Sequence, residues 1–184
     1  MKCCEALELI DYLSEVNYLW YLQEWTSKEV MEIIYDSDEL DITSNIIENV
    51  LSGRQNIVLL FETTQGELFG CYNKSVIKQN SVGFVEDKDF FVFSFKSKSL
   101  LKPTKYVKKC DCQNYVQNDL SLYFPHSTEY VIDTASSFLI YLPLNDWCSE
   151  INIDFNKCFE GNAADFVGQS CSFALRRFLV IQMW

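Results

Sequence analysis

The sequence predicts an α+β fold in which an antiparallel β-sandwich of two sheets carries short N-terminal and flanking helices. Segments with helical spacing come first, many short apolar segments separated by turn signals follow, and the chain ends in an apolar run. The 184 residues are 48% hydrophobic and 15% aromatic. That is enough apolar material for one sizeable core in one main domain.

The first segment, residues 1–25, predicts an N-terminal helix that precedes a sandwich domain over residues 26–184. Asp11, Ser14 and Glu15 fall largely on its polar side. The helix either packs on its own domain or serves as a partner-binding helix or the stub of a coiled coil. Its apolar side chains recur at helical spacing and are Ala6, Leu9, Ile10, Leu13, Val16 and Trp20.

Two short helices are expected next. Thr26 and Glu29 have the spacing of a capping box, which predicts a helix whose apolar side carries Val30, Met31 and Ile34. The acidic run 36–39 ends that helix; its start resembles a calcium-binding loop, but the required Gly is missing. A second helix is predicted over 45–51, with Ser44 as N-cap and Gly53 just after its end.

From residue 56 the pattern predicts strands. Residues 56–62 are apolar on both faces, which indicates a central strand covered from both sides. A Gly-containing turn and residues 67–72 complete a hairpin, in which Gly70 indicates a bulge or a close backbone approach. The remaining predicted strands are Phe90–Phe95, with Phe91, Phe93 and Phe95 on one face, Leu120–Phe124, Tyr130–Ile132, Phe138–Leu142, Ile151–Phe155 and a buried Phe178–Trp184, with a helical or irregular stretch over 156–168.

The net charge of −11 argues against nucleic acid as a partner, since an acidic surface repels phosphates. No signal-peptide pattern and no run of roughly 20 apolar residues occurs, so we expect a cytoplasmic protein without membrane insertion. A group of lysines lies between residues 96 and 109 and predicts a solvated loop and a protected edge strand, with partner binding as the alternative.

Several segments together resemble the TLDc domain, most closely its short, divergent protist versions. Residues 68–72 follow an apolar strand and a Gly turn, residues 89–95 come later, and residues 176–184 close the chain. Upstream lie residues 24–27 and 33–38. The likeness covers Trp25 to Trp184 and depends on the order of these segments. Its motif residues in this sequence are Phe69, Gly70, Phe91, Phe93, Ile181 and Trp184.

The resemblance implies two antiparallel sheets packed as a sandwich, in agreement with the pattern of strands. It also implies the roles of better-characterised members, which are protection against oxidative damage and binding to the vacuolar proton ATPase. Peripheral subunits of that ATPase are therefore the expected partner. The family has no established catalytic residues, so the expectation is a non-enzymatic interaction module without cofactor or metal. One departure is the Gly-free segment 133–137, where many members have a Gly-rich stretch.

Cysteines offer the main alternative function. The chain has 8 of them and no secretory pattern, which favours reduced thiols. Cys110 and Cys112 follow Lys108 and Lys109, and nearby positive charge favours the reactive thiolate. The sequence therefore leaves open a thiol-based redox-responsive protein that uses Cys110 or Cys112. A third possibility is a sandwich that binds a small ligand.

Other chemistry has little support in the sequence. His126 is the only histidine and follows a proline in an expected turn, so a Ser-His or Cys-His arrangement is disfavoured. The acidic residues Glu86, Asp87 and Asp89 are expected in a solvated hairpin loop. No phosphate-binding glycine motif occurs. Trp147 is a candidate anchor for a partner if it is exposed.

Overall fold

The computed structural model describes residues 17–29, 31–78, 84–109, 120–123, 130–134, 137–141, 148–168 and 171–184. Its helices are α1 Tyr18–Thr26, α2 Ser44–Leu51, α3 Phe155–Cys158 and α4 Ala164–Val167. Its strands are β1 Met31–Asp36, β2 Ile57–Thr63, β3 Leu68–Asn73, β4 Phe84–Glu86, β5 Phe91–Lys96, β6 Thr104–Val107, β7 Leu120–Tyr123, β8 Tyr130–Thr134, β9 Phe138–Tyr141, β10 Ser149–Ile151, β11 Ser172–Phe173 and β12 Leu175–Met183.

The described strands form two antiparallel sheets. Sheet A has the order β1-β12-β2-β3-β5-β6, and sheet B has the order β11-β10-β9-β8-β7-β4. Side chains from both sheets meet in one large core, where Phe61 of sheet A lies 5.9 Å from Phe138 of sheet B between ring centroids. Phe69 lies 5.0 Å from the same Phe138 ring. The predicted α+β sandwich is confirmed.

Strand β2 lies in the middle of sheet A and is buried on both faces, as its sequence predicts. Leu59 and Phe61 point into the core between the sheets, whereas Val58 and Leu60 point to the outer face of sheet A. Gly70 on the neighbouring strand allows the close approach, because a Cβ there would lie 2.0 Å from the carbonyl oxygen of Leu59. The expected role of Gly70 is confirmed.

The C-terminal strand β12 lies between β1 and β2. Phe178 and Val180 enter the core between the sheets, and Ile181 and Met183 enter the cluster on the outer face. The prediction of a buried C-terminal strand is confirmed up to Met183. Trp184 lies beyond the strand with 59% of its surface exposed, so its inclusion in the buried strand was wrong.

The predicted helix after Thr26 is wrong, because residues 31–36 form strand β1. The Thr26 hydroxyl does not cap a following helix and instead donates to the carbonyl of Leu22, one turn back in α1, at 2.7 Å. Met31 pairs with Met183 across the β1–β12 interface. Pairing with the buried C-terminal strand therefore overrides the local capping pattern.

Two further boundaries differ from the prediction. Helix α2 is capped by Thr43, whose hydroxyl accepts from the N–H of Ile46 at 3.3 Å, so Ser44 is its first residue rather than its N-cap. Gly53 follows the helix with φ of +76°, as expected of a residue after a helix end. Strand β10 ends at Ile151, and Ile153 is 91% exposed, because α3 begins where the alternation was expected to continue.

Candidate interaction surface

Helix α1 covers the outer face of sheet A. Phe91, Phe93 and Phe95 of β5 share this face, as the alternation predicts. Trp25 of α1 contacts all three rings at centroid distances of 5.8 to 6.4 Å. Tyr18, at the other end of the helix, stacks on Phe95 at 4.7 Å. The described part of the N-terminal helix therefore packs on its own domain, whereas residues 1–16 lie outside the described residues.

Lys105 on the edge strand β6 fastens the end of α1. Its amine lies 3.9 Å from the centroid of the Phe91 ring and donates to the carbonyl of Trp25 at 3.4 Å. Burial lowers the pKa of Lys105, although the carboxylate of Asp89 opposes this effect. The predicted edge strand is confirmed by β6, which contains Lys105, but this lysine is partly buried and makes a cation–π contact.

The solvent side of α1 meets the ends of two strands of sheet A. Gln23 donates its side-chain amide to the carbonyl of Glu29 at 2.7 Å, and the N–H of Glu29 donates to the carbonyl of Trp184 at 3.2 Å. A shallow polar depression here is lined by Gln23, Ser27, Lys28 and Glu29. Trp184 at this junction is 59% exposed, and Trp20 on α1 is 49% exposed.

Trp20 was assigned by its spacing to the apolar side of the helix, and the structure corrects this. The buried positions are Tyr18 and Leu22, with Trp25 packed beside them, which is the i, i+4, i+7 spacing of one helix face. Trp20 falls outside that face and packs edge-on against Tyr21 at 5.0 Å. That spacing was readable in the sequence, but it competed with a longer pattern that began at Ala6.

Arg177 joins β12 to the end of β1. Its guanidinium donates through Nε to the carboxylate of Asp36 at 3.0 Å, makes a second contact with Asp36 through Nη2, and lies 3.1 Å from the carboxylate of Asp38. Burial alone would raise the pKa of Asp36, but the hydrogen bonds from Arg177 and from the Asp38 amide outweigh it and lower that pKa. The acidic run that resembles a calcium loop therefore contacts the guanidinium of Arg177 through Asp36 and Asp38.

The acidic turn before β5 is structural. Asp87 is 3% exposed and accepts from the N–H groups of Lys74, Ser75 and Asp89. Asp89 forms an exposed ion pair with Lys74 at 2.6 Å. The expectation of a solvated loop is wrong for Asp87, because the loop uses this carboxylate to satisfy backbone donors.

The thiols proposed as redox-active, Cys110 and Cys112, lie outside the described residues, as do His126 and Trp147. The described lysine next to them, Lys109, donates its amine to the carbonyl of Asn156 at 2.7 Å. Cys71 is fully buried, and burial raises the pKa of its thiol, although a hydrogen bond with Leu59 opposes the shift. Among the cysteines that the structure describes, Cys148 is the exposed one.

The carboxyl group of Asp133 on β8 lies in a buried environment that disfavours its ionised form. Burial raises its pKa to about 6, and its Oδ1 is buried with no hydrogen-bond partner among the described residues. Asp133 is the first residue of the Gly-free segment 133–137. Within this segment the N–H of Ser137 donates to the carbonyl of Thr134 at 2.8 Å. The Thr134 hydroxyl also accepts from the N–H of Phe138 at 2.8 Å.

Within the described ranges, no group of three or more His, Cys, Asp or Glu side chains is arranged to hold a metal ion. In the same part of the chain, no helix is long and apolar enough to cross a membrane.

These features define a two-sheet antiparallel sandwich with helix α1 packed on the outer face of sheet A. A family model described as the TLDc domain matches residues 10–178. The chain therefore belongs to the TLDc domain family, which is generally associated with oxidation resistance. No curated protein matches the chain.

Proposed function

We propose that this chain is a non-catalytic protein-interaction module that acts in the cytoplasm in protection against oxidative damage. Peripheral subunits of the vacuolar proton ATPase are the candidate partner. Membership of the TLDc family supports the general role. The observation that carries the interaction function is the exposure of two tryptophans, Trp20 on α1 and Trp184 at the junction of α1, β1 and β12.

Exposed tryptophans support this proposal because Trp is enriched among the residues that dominate binding energy at protein interfaces. The elements that carry them are held to sheet A: Trp25 packs α1 on three phenylalanine rings, and Glu29 is bonded to the end of β12. Elements that are already packed in place lose less conformational freedom on binding, which favours affinity.

The test is an affinity pull-down with the purified chain from a lysate, read by mass spectrometry. The double variant Trp20→Ala, Trp184→Ala is compared with a matched control, Leu101→Ala, Ile153→Ala, which removes two other exposed apolar side chains. We expect the wild-type and control chains to recover proton-ATPase peripheral subunits and the tryptophan variant to lose them. Recovery of no reproducible partner by the wild type would refute the proposal, and equal recovery by both variants would refute the tryptophan surface.

A thiol-based response is the second candidate, since Lys108 and Lys109 precede Cys110. It is tested by peroxide labelling and mass measurement of the wild type, of Cys110→Ser and Cys112→Ser, and of Cys71→Ser as the buried control. Loss of the labelled species only in the first two variants would support this function. Labelling that is absent in the wild type, or unchanged in every variant, would contradict it.

A further inference from the structure

Strand β1 is an edge of sheet A, and its outer side carries backbone groups that no other described segment pairs with. Met183 donates its N–H to the carbonyl of Asn56 on the β2 side. Backbone groups alternate sides along a strand, so Gln182 directs its own groups toward β1 and pairs with Glu32. Met31 and Ile33 flank Glu32 and therefore direct their N–H and C=O groups away from the sheet. Within the described residues, no hydrogen bond reaches these groups from another segment.

We propose that β1 binds an extended, basic segment of a partner protein, which adds a strand to sheet A. Adding a strand to a sheet edge is a recurrent mode of peptide recognition, in which main-chain hydrogen bonds supply affinity and alternating side chains supply specificity. The inference rests on the proposed interaction function and deepens it by giving the partner segment its chemistry.

The side chains of β1 define what the added strand would carry. Met31 and Ile33 are partly buried on the outer face of sheet A, where they pack against its hydrophobic cluster. Glu32 points to the other face and is exposed. An added strand therefore fits best with apolar residues beside Met31 and Ile33 and with Lys or Arg beside Glu32.

The stretch of chain around β1 is mainly acidic, with Lys28 as its one basic residue between residues 28 and 41. The exposed carboxylates Glu29, Glu39 and Asp41 lie in the same stretch of chain as Glu32. The nearest guanidinium, that of Arg177, is already engaged by Asp36 and Asp38. A basic segment gains favourable electrostatic energy and a faster encounter at such an edge, whereas an acidic one is repelled.

The same charges disfavour a second copy of this chain as the occupant. Pairing of two β1 edges would bring Glu32 and its acidic neighbours of both copies together. The end of the basic edge strand β6 is covered by its own chain, because the carbonyl of Val107 accepts from the N–H of Glu160 at 2.9 Å and the N–H of Lys109 donates to the carbonyl of Cys158 at 2.9 Å. The occupant is therefore a different polypeptide.

The probe is a short synthetic peptide in which Lys and Val alternate. One control peptide has the same composition with the lysines and valines in separate blocks. A second has N-methyl groups on the residues that would pair with β1, which keeps the charge and removes the main-chain donors. Binding is measured by titration, and the site is located by amide hydrogen exchange in the complete chain.

The protein variant is Glu32→Lys, and its matched control is Glu160→Lys, which reverses an exposed charge near β6. We expect the alternating peptide to bind the wild-type chain and to slow amide exchange at Met31 and Ile33. Its affinity should fall about tenfold for Glu32→Lys, which is a loss of about 1.4 kcal/mol in binding free energy, and should not change for the control variant. Equal binding of the N-methylated or block peptide, protection elsewhere, or no binding at all would overturn the proposal. A pull-down that still recovers its partner with Glu32→Lys would overturn this edge site and leave the interaction module standing.

Discussion

The two edge strands of sheet A, β6 and β1, differ in their lysines and in the segments that cover them. The β6 edge carries Lys105 and Lys108, whose amines lie 3.9 and 5.1 Å from phenylalanine ring centroids, and residues 158–160 hydrogen bond to its end. The β1 edge has no lysine or proline, and it presents an exposed Glu32 between two partly buried apolar side chains. Lysines and covering segments are the usual protection of an edge against pairing.

Within the described residues, the end of the β6 edge is therefore covered, whereas the outer side of β1 is not, and the proposed strand addition depends on this difference. The β1 edge keeps one protective feature, a register shift between Ile33 and Tyr35 where the pairing with β12 is irregular. Such a bulge limits the length of strand that can be added there. Short pairing with an extended segment remains possible, whereas long sheet-to-sheet association does not.

The largest expected effect comes from removing the strand that supports the open edge. Deletion of residues 178–184 takes away most of β12, including Phe178 and Val180, which are fully buried, and separates β1 from the rest of sheet A. We expect no cooperative thermal transition and loss of the near-ultraviolet circular dichroism signal. A soluble truncated chain with a sharp melting transition would contradict the sandwich as described.

The next effect concerns the ion pair that holds the end of β1. Arg177→Met leaves the buried carboxylate of Asp36 without its partner, and we expect a loss of about 3 kcal/mol in unfolding free energy. The control Arg176→Met removes a guanidinium whose side chain is 53% exposed and should cost under about 1 kcal/mol. Urea denaturation of both variants measures the difference, and equal losses would contradict a special role for Arg177.

The pH dependence of this pair has a defined direction. The pKa of Asp36 is lowered in the folded state, so its stabilisation is present above the unfolded pKa of 3.8 and is lost as the pH falls through the folded value. Stability of the wild type and of Arg177→Met should therefore converge in acid.

The partly buried carboxyl group of Asp133 in sheet B contrasts with the exposed carboxylate of Glu32 on β1. Burial raises the pKa of Asp133 to about 6, so ionisation destabilises the fold, with a cost that is absent below pH 3.8 and complete above about pH 6. Asp133→Asn should increase stability at pH 7.5 by on the order of 1–2 kcal/mol and flatten the fall in stability between pH 4 and 6. Glu32→Gln should change neither. Denaturation of these variants across this pH range measures the effect. If the unfolding free energy of Asp133→Asn fell with pH as steeply as that of the wild type, the raised pKa of Asp133 would be contradicted.

The smallest effect is expected at the closed edge. Lys105→Ala removes the cation–π contact with Phe91 and the hydrogen bond to Trp25, at a cost of about 0.5–1 kcal/mol. Lys102→Ala, at an exposed position, should cost nothing measurable. Indistinguishable melting temperatures for the two variants would show that Lys105 does not fasten α1.

Strongly patterned strands could be predicted from the sequence, and an element set by long-range pairing could not. The runs at β2 and β12 are apolar on both faces, and only a central strand satisfies such a pattern. Strand β1 was mistaken for a helix because its capping pattern is local, whereas its partner β12 lies far along the chain. The exposure of Trp20 and Trp184 was missed, since exposure depends on which helix face and which strand end meet the sheet.

Amide hydrogen exchange of the free chain at single-residue resolution tests the contrast between the two edges most directly. We expect the amides of Ile33 and Met31 to exchange much faster than those of Glu160 and Lys109, which form hydrogen bonds of 2.9 Å at the end of the β6 edge. Protection of Ile33 and Met31 equal to that of Glu160 would show that the β1 edge is already covered, and would contradict its assignment as the open edge.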